Sequence, residues 1–242
     1  MEQSVSARVY SAADLHLHTT YSDGRATPAE VFRHVAAHRH LRVIAITDHN
    51  TLEGAREAAT IAPEFGITCI VGEEVSSSGG HIVGLFLTEP IPSGLTPQAT
   101  IAAIHAQSGV AFAPHPFYRP RNPHRVPDLP TMESVGALVA ALPLDAIEVI
   151  NGTPLLGGAN REAESFNRTT THLPVLGCSD AHILDAIGKG YTVFPGETAD
   201  DLRSALQNGE TVAMSQRYTA AELMTYFQHW LRMSAERGMP AW

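Results

Sequence analysis

The sequence of 242 residues has few cysteines and no excess of basic residues. Cys69 and Cys178 lie inside the apolar runs "ITCIVG" and "PVLGCSD", where buried free thiols are commoner than disulfides. We therefore expect a reducing, cytoplasmic compartment. With 16 basic and 25 acidic residues the formal net charge is −9, which disfavours binding to long nucleic acids by bulk electrostatics. Any anion must be attracted locally.

Long apolar runs and flexible linkers are also missing from the sequence. No stretch approaches the ~20 apolar residues that a membrane span requires, and the first residues do not combine a basic segment with an apolar run. We therefore expect neither secretion nor membrane insertion. No Gly/Ser-rich linker, low-complexity segment or internal repeat divides the chain, which predicts a single domain over residues 1–242.

Short runs rich in Val and Ile alternate with longer helical patterns. The runs "VIAIT", "ITCIVG", "GHIVGLFL", "GVAFAP", "AIEVI", "LPVLG" and "YTVF" are typical of strands. Helices are predicted to begin after four threonine N-caps: Thr27, Thr96, Thr198 and Thr219. This alternation predicts an α/β domain with a parallel sheet, either open or closed into a barrel.

Two segments depart from the alternation. Residues 117–130 contain several prolines, which exclude a continuous helix, so we expect a loop over one end of the sheet. The helix from about Thr219 predicts a C-terminal helical extension over residues 219–242. Docking on the domain and self-association into a homo-oligomer are both open for this helix.

Polar residues collect at the predicted strand ends. The segments "LHLHTTYSDG", "ITDHNT", "VGEEVS", "APHPF", "EVING" and "GCSDAH", and the return strand that begins "GHIVG", each carry a polar group or a potential metal ligand. Because functional side chains gather at the carboxyl ends of parallel strands, these groups are expected to meet. A lone histidine there would be a weak signal, but together they predict a metal site.

The expected ligand set combines imidazoles with carboxylates and contains no cysteine. Such a set fits Zn²⁺, Mn²⁺ or Fe²⁺ in catalytic sites. The candidates outnumber the ligands that one ion can use, so they suit two or three divalent ions. Three such ions balanced by three carboxylates would leave a site charge of about +3, which would attract a phosphate dianion to this acidic protein.

In order along the chain, the motifs "DLHLHTTYSDG", "ITDHNT", "GEEVSSSGGHIVGLF", "APHP", "IEVING" and "GCSDAH" resemble those of the polymerase and histidinol phosphatase (PHP) family of metal-dependent phosphoesterases. The resemblance spans residues 12–195. It implies a distorted seven-stranded (β/α)7 barrel similar to a TIM barrel, and hence a single PHP-type domain.

The resemblance also implies how the metal ligands are shared. One ion would be bound by His16, His18, Glu74 and Asp180, a second by Glu74, His81 and His115, and a third by Asp23, His49 and His182. The family's Gly-x-Glu pattern selects Glu74 over Glu73. Asp23 stands where the family often has histidine, a variation that could alter the metal preference.

Three further polar residues are expected beside the ligands. Asp14 and Asp48 could orient imidazoles, since carboxylates commonly hold metal-binding histidines in place, and Asp48 could instead shape its loop. Asn151 matches the family's E-V-x-N stretch and could orient the substrate or cap a turn.

The implied function is hydrolysis of a small-molecule or nucleotide phosphate ester, either a monoester or a diester. A metal-bound hydroxide would attack phosphorus, and the sequence does not identify the general acid. The candidates for gripping the phosphate or the leaving group are Lys189 and four residues of the proline-rich segment, Arg119, Arg121, His124 and Arg125, with solvated surface charges as the alternative. Arg119 and Lys189 are the ones we select.

Other functions remain open at this level. An amidohydrolase-like C–N hydrolase would use similar chemistry to activate water, and a non-catalytic PHP module would act through a partner protein. A nuclease for long nucleic acids is disfavoured, because the sequence lacks the basic grooves that such substrates need.

Overall fold

A computed structural model describes residues 8–38, 40–119 and 133–236, with side chains as far as residue 232. These residues form an α/β fold around one sheet of nine strands. The strands are β1 (Tyr10–Asp14), β2 (Val43–Ile46), β3 (Thr68–Ser77), β4 (Gly80–Leu85), β5 (Val110–Ala113), β6 (Ala146–Asn151), β7 (Val175–Cys178), β8 (Gly190–Pro195) and β9 (Val212–Ser215). The α-helices are α1 (Pro28–His38), α2 (Glu53–Ile61), α3 (Pro97–Ala106), α4 (Gly157–Phe166), α5 (Ala199–Asn208) and α6 (Ala220–Glu236).

The sheet is mixed and has the order β7-β6-β5-β4-β3-β2-β1-β8-β9. Strands β1, β2 and β3 run parallel, as do β5, β6 and β7, whereas β4, β8 and β9 pair antiparallel with their neighbours. The α/β class is confirmed, but the expected count of seven strands and a wholly parallel sheet are not found. Ser78 and Gly79 alone join β3 to β4, and so short a connection permits only an antiparallel pair.

The edge strand β7 meets β8 and β9 at the other end of the sheet, which nearly closes a barrel. The Thr192 hydroxyl in β8 accepts a hydrogen bond from the Gly177 N–H of β7 at 3.1 Å and donates one to the Gly177 carbonyl at 2.9 Å. A side chain at Gly177 would meet the Tyr191 carbonyl oxygen at 2.5 Å, so only glycine permits this approach. Side-chain hydrogen bonds therefore close the seam.

An apolar core fills the barrel below the candidate site. Fully buried residues of β1, β2, β4 and β5 pack there with Leu202 of α5. The ring of Phe112 lies edge-on to the His16 imidazole, with 6.4 Å between ring centroids. The polar cluster described below therefore packs on one side against buried apolar side chains.

The structure confirms the predicted helix starts and refines the first strand. Each threonine accepts a hydrogen bond from a first-turn backbone N–H of α1, α3, α5 or α6: Thr27, Thr96, Thr198 and Thr219. Strand β1 ends at Asp14, so His16 and His18 lie in the extended segment after the strand. Leu17 bridges this segment to Ala181, which keeps both histidines on one side.

Helices α2 and α4 were not predicted, because no side-chain cap marks their starts. Most of the expected proline-rich loop lies outside the described residues. The single domain over residues 1–242 stays a prediction, and α6 occupies most of the predicted extension at 219–242. Within the described ranges, none of the helices has both the length and the apolar character needed to cross a bilayer.

The seam predicts a specific stability effect. Thr192→Val keeps the side-chain shape but leaves the Gly177 N–H and C=O without their hydroxyl partner, which should lower the free energy of unfolding by about 1–3 kcal/mol. Denaturant unfolding of the two proteins measures the difference. Thr60→Val, an exposed threonine in α2, is the matched control, and an equal loss in both variants would contradict the role of the seam.

Candidate metal centre

The structure brings all nine predicted ligands to one end of the barrel. The segment after β1 supplies two histidines and a turn with an aspartate, and the segment after β2 supplies one histidine. Strand β3 supplies the glutamate, β4 a histidine, the segment after β5 a histidine, and the segment after β7 an aspartate and a histidine. In chain order they are His16, His18, Asp23, His49, Glu74, His81, His115, Asp180 and His182.

Glu74 lies at the centre of the cluster. Its carboxylate is 1% exposed and is surrounded by imidazoles from five other positions of the chain. Its Oε2 lies 3.1, 3.2 and 3.3 Å from ring nitrogens of His16, His18 and His49, and its Oε1 lies 2.9 and 3.1 Å from those of His81 and His115. A buried carboxylate needs such partners, because burying an unpaired charge is very costly.

The ligand atoms form four overlapping groups in which every atom lies within 4.8 Å of the others. The groups are His18, Asp23, His49 and His182; His16, Glu74 and His115; His16, His18 and Asp180; and His49, Glu74 and His81. Shared members join the groups into one continuous cluster, so ions bound in it would be close neighbours.

Two of these residues hold an unusual backbone conformation. His115 and Asp180 have φ values of 27° and 53°, in the left-handed region that non-glycine residues seldom occupy. Such backbone strain collects at functional sites, where the surrounding structure maintains it. At His115 the Ser134 hydroxyl donates to the backbone carbonyl at 2.7 Å, which helps to hold the turn.

The imidazoles fit a metal ion on geometric grounds. The Nε2 atoms of His16 and His18 are buried and have no hydrogen-bond partner among the described residues, although both lie within 3.5 Å of carboxylate oxygens of Glu74 and Asp180. Donor atoms at these distances without hydrogen-bond geometry point to a common centre. Imidazole nitrogen and carboxylate oxygen are ligands of divalent transition metals.

The electrostatics of the cluster favour positive charge. Burial acts to lower the pKa of His18, but the adjacent carboxylates of Asp180 and Glu74 outweigh it and raise the pKa to about 10. Burial alone would raise the pKa of Glu74, yet the surrounding imidazoles hold it well below the usual value. His49 shows the opposite balance, because burial lowers its pKa to about 4. The buried carboxylates therefore stabilise cations, whether protons or metal ions.

Glu148 in β6 is a functional candidate that the sequence interpretation missed. It is 1% exposed, and its Oε1 lies 3.4 Å from His16 Nδ1 while its Oε2 accepts hydrogen bonds from the backbone N–H of His115 and from the Asn151 amide. Glu148 thus helps to hold two candidate ligands, His16 and His115, in position. The sequence feature that could have identified Glu148 is its position as a carboxylate within the apolar run "AIEVI", since a buried charge must have partners.

The other polar residues expected near the ligands hold the surrounding loops. The Asp14 carboxylate accepts from the backbone N–H groups of Ser179 at 3.0 Å and Gly188 at 2.9 Å, so its hydrogen bonds go to backbone instead of an imidazole. Asp48 accepts from Thr19 N and Oγ1 at 2.7 and 2.6 Å, which shapes the turn that carries Asp23. Both carboxylates position the segments on which candidate ligands lie.

Asn151 bridges two carboxylates at the edge of the cluster. Its side-chain amide donates to Glu148 Oε2 at 3.1 Å and to Asp180 Oδ2 at 3.2 Å. The Thr153 N–H donates to its Oδ1 at 2.9 Å and so fixes the orientation of the amide. Asn151 therefore both holds Asp180 and caps the following turn.

The predicted phosphate-gripping residues contact carboxylates. Arg119 is exposed and pairs with Glu162 at 2.8 Å. Lys189 is buried and its Nζ lies 2.8 Å from Glu222 Oε2 of α6. The structure thus engages both cations with protein groups, and their role in substrate binding stays a prediction. Arg121, His124 and Arg125 lie outside the described residues.

Comparison with known proteins identifies the family. The PHP domain profile matches residues 14–126, and the PHP-associated profile matches residues 157–211. An uncharacterized protein of Methanocaldococcus jannaschii, MJ1587, is 36% identical over 173 residues, which cover 67% of this chain and 93% of that protein. The chain belongs to the PHP family.

Two further similarities extend this comparison. A 3′,5′-nucleoside bisphosphate phosphatase of Chromobacterium violaceum is 44% identical over 84 residues, which cover 33% of this chain and 29% of that enzyme. The fold resembles that of a two-domain protein from Bacteroides vulgatus containing a predicted PHP-like metal-dependent phosphoesterase, with a TM-score of 0.68, 21% identity, and coverage of 92% of this chain and 70% of that one. Together with the clustered ligands, the family supports divalent-metal binding.

The contacts of Glu148 predict a metal-affinity effect. Glu148→Gln keeps the shape but places a donating amide either beside His16 Nδ1 or beside the His115 N–H and the Asn151 amide, so the two ligands should be held less firmly. We expect roughly tenfold weaker binding of Zn²⁺ or Mn²⁺, measured by competition with a chelator. Glu164→Gln, on the exposed side of α4, is the control. Unchanged affinity in a correctly folded Glu148→Gln variant would refute this role.

Proposed function

We propose that the protein is a metal-dependent hydrolase of small phosphate esters. The observation that carries the proposal is the burial of Glu74 among imidazoles from five positions of the chain, within a cluster that contains all nine expected ligands. Several carboxylates and imidazoles packed so closely suit a group of two or three divalent ions. Membership of the PHP family supports the same chemistry.

The proposed ligand assignment is the one that the resemblance to the PHP family implies. His16, His18, Glu74 and Asp180 would hold one ion; Glu74, His81 and His115 a second; and Asp23, His49 and His182 a third. Glu74 can serve two ions because its two oxygens face different sets of imidazoles. The ligand set admits Mn²⁺, Zn²⁺ or Fe²⁺.

When bound, divalent ions supply Lewis acidity toward phosphoryl oxygens and activate water at neutral pH. The chain itself supplies geometry. Glu148 and Asn151 hold His16, His115 and Asp180 in place, and the apolar floor at Phe112 excludes water from below. Rigid placement of the ligands lets the site meet a transition state without reorganising.

The expected substrate is a small-molecule or nucleotide phosphate ester. The phosphatase name of the Chromobacterium violaceum relative supports a phosphomonoester, although the similarity covers a minor part of each chain. The choice between monoester and diester follows from the assay below.

Both cysteines are free, which supports the proposed cytoplasmic compartment.

The ligand assignment predicts loss of activity in two variants. His16→Ala and Asp180→Ala each remove a buried ligand, and we expect kcat/KM for the best ester to fall at least roughly 100-fold. The assay uses purified protein, a panel of phosphate monoesters and diesters, and Mn²⁺, Zn²⁺ or Fe²⁺ in turn. His38→Ala, an exposed histidine in α1, is the matched control.

Full activity in either ligand variant would exclude the proposed site. No turnover of any ester by fully metallated wild-type protein would exclude the hydrolase function and favour a module that acts through a partner protein.

A further inference from the structure

A partly buried acid lies beside the metal centre but outside its groups of ligands. Glu133 stands at the start of the described range 133–236 and is partly buried. Among the described residues, the four groups of potential ligand atoms do not include its carboxyl oxygens. A carboxyl group in this position can exchange a proton without giving up a metal ion, so its surroundings bear directly on the reaction.

The segment that carries this carboxyl is fixed against the residues after β5. The Ser134 hydroxyl donates to the backbone carbonyls of His115 at 2.7 Å and Tyr118 at 2.9 Å. The Gly136 N–H donates to the Pro116 carbonyl at 2.8 Å. The acid is therefore adjacent in the chain to a residue that contacts the backbone of a candidate ligand.

The same segment also packs against the start of β4. A side chain at Gly80 would meet the backbone of Ser134 at 2.5 Å. Gly80 has a φ of 122° and directly precedes the candidate ligand His81. Because only glycine permits this approach, Glu133 is placed next to both segments that supply His81 and His115.

The charges of the metal centre act on this carboxyl. Burial raises the pKa of Glu133 above its usual value, and the carboxylates of Glu74 and Asp180 act in the same direction. Positive charge on His115 and His81 opposes the rise without cancelling it. A carboxyl whose pKa moves up toward neutral pH can hold a proton and then release it, which is what a general acid must do.

Tyr118 offers a second proton donor near the same ligand. Its ring lies edge-on to the His115 imidazole, with 6.1 Å between ring centroids. Burial, and then the charge of Glu133, raise the pKa of Tyr118 to about 12. A phenol with so high a pKa is a weaker acid at neutral pH than a carboxyl, so of these two groups Glu133 is better suited to proton donation.

We propose that Glu133 is the general acid that protonates the leaving group of the phosphate ester. The oxygen of water forms a bond to phosphorus while the bond from phosphorus to the ester oxygen breaks. The ester oxygen keeps the electron pair of that bond and takes the proton of the Glu133 carboxyl, so that it leaves as an alcohol. The attacking water releases a proton to solvent, and the Glu133 carboxylate takes one back. This inference rests on the proposed phosphoesterase function and adds to it the proton donor.

The test compares two esters of similar shape whose leaving groups differ in basicity. They are benzyl phosphate, whose alkoxide needs a proton to leave, and 4-nitrophenyl phosphate, whose phenolate leaves as an anion. Their methyl diesters take their place where the panel favours diesters. In Glu133→Gln, kcat for the benzyl ester should fall roughly 100-fold or more, whereas kcat for the nitrophenyl ester should change little.

Two further variants serve as comparisons. Glu64→Gln makes the same change at an exposed glutamate after α2 and should resemble the wild type with both esters. Tyr118→Phe removes the other proton donor and should show no dependence of its kcat on the leaving group beyond that of the wild type.

Binding measurements separate proton transfer from a structural role. Calorimetric titration of the metallated protein with inorganic phosphate should show Glu133→Gln binding at least as tightly as the wild type, since the lost group donates a proton and does not hold the phosphate. Elemental analysis should find the same metal content in both proteins.

The outcomes separate the two claims. Equal losses with the two esters in Glu133→Gln, or weaker binding of phosphate or metal by that variant, would overturn the general-acid role and leave the hydrolase function standing. Unchanged turnover of the best alkyl ester of the panel by Glu133→Gln would overturn it as well, as would a leaving-group effect found only in Tyr118→Phe. If the metallated wild-type protein turns over no ester of the panel, the hydrolase function fails and the general acid fails with it.

Discussion

The burial of the Glu74 carboxylate is the constraint on which the site depends. A carboxylate that is 1% exposed cannot remain charged without cationic or hydrogen-bonding partners, and its partners here are five imidazoles from other segments. The four segments that carry these imidazoles must therefore all reach the same place. The barrel meets this requirement, because it brings the ends of its parallel strands to one rim.

The surrounding hydrogen bonds show how the rim is kept rigid. Asp14 ties the segment after β1 to the Ser179 and Gly188 backbone, and Asp48 shapes the turn that leads to Asp23. Glu148 acts from β6 on ligands that come from two other strands. The carboxylates of the site thus divide into those that face the centre and those that hold the loops around it.

Much of the candidate site could be predicted because its residues stand in short motifs at the ends of predicted strands. His16 and His18 alternate with buried leucines, and Asp180 and His182 stand close together after an apolar run, so spacing alone suggested where they point. Their meeting in space followed from the rule that strand ends converge. The sequence also allowed Glu74 to be chosen over Glu73 as the expected ligand. In the structure, Glu73 accepts a hydrogen bond from the Ile91 N–H instead.

The remaining features depend on contacts between distant residues. The nine-stranded sheet and its closure through Thr192 and Gly177 involve β8 and β9, which no local pattern relates to β7. Lys189 lies in a polar loop by sequence, yet its partner Glu222 is supplied by α6. Glu148 was overlooked because a single acidic residue in an apolar strand does not reveal which groups it faces.

Location of the metal ions tests the central claim most directly. Crystals of the 242-residue protein grown with Mn²⁺ would be measured near the manganese absorption edge, so that anomalous peaks mark the ions. The account predicts two or three peaks inside the cluster, at least one of them in contact with Glu74 at about 2.2 Å. Manganese bound elsewhere, with no peak within reach of Glu74, His16 or Asp180, would contradict it.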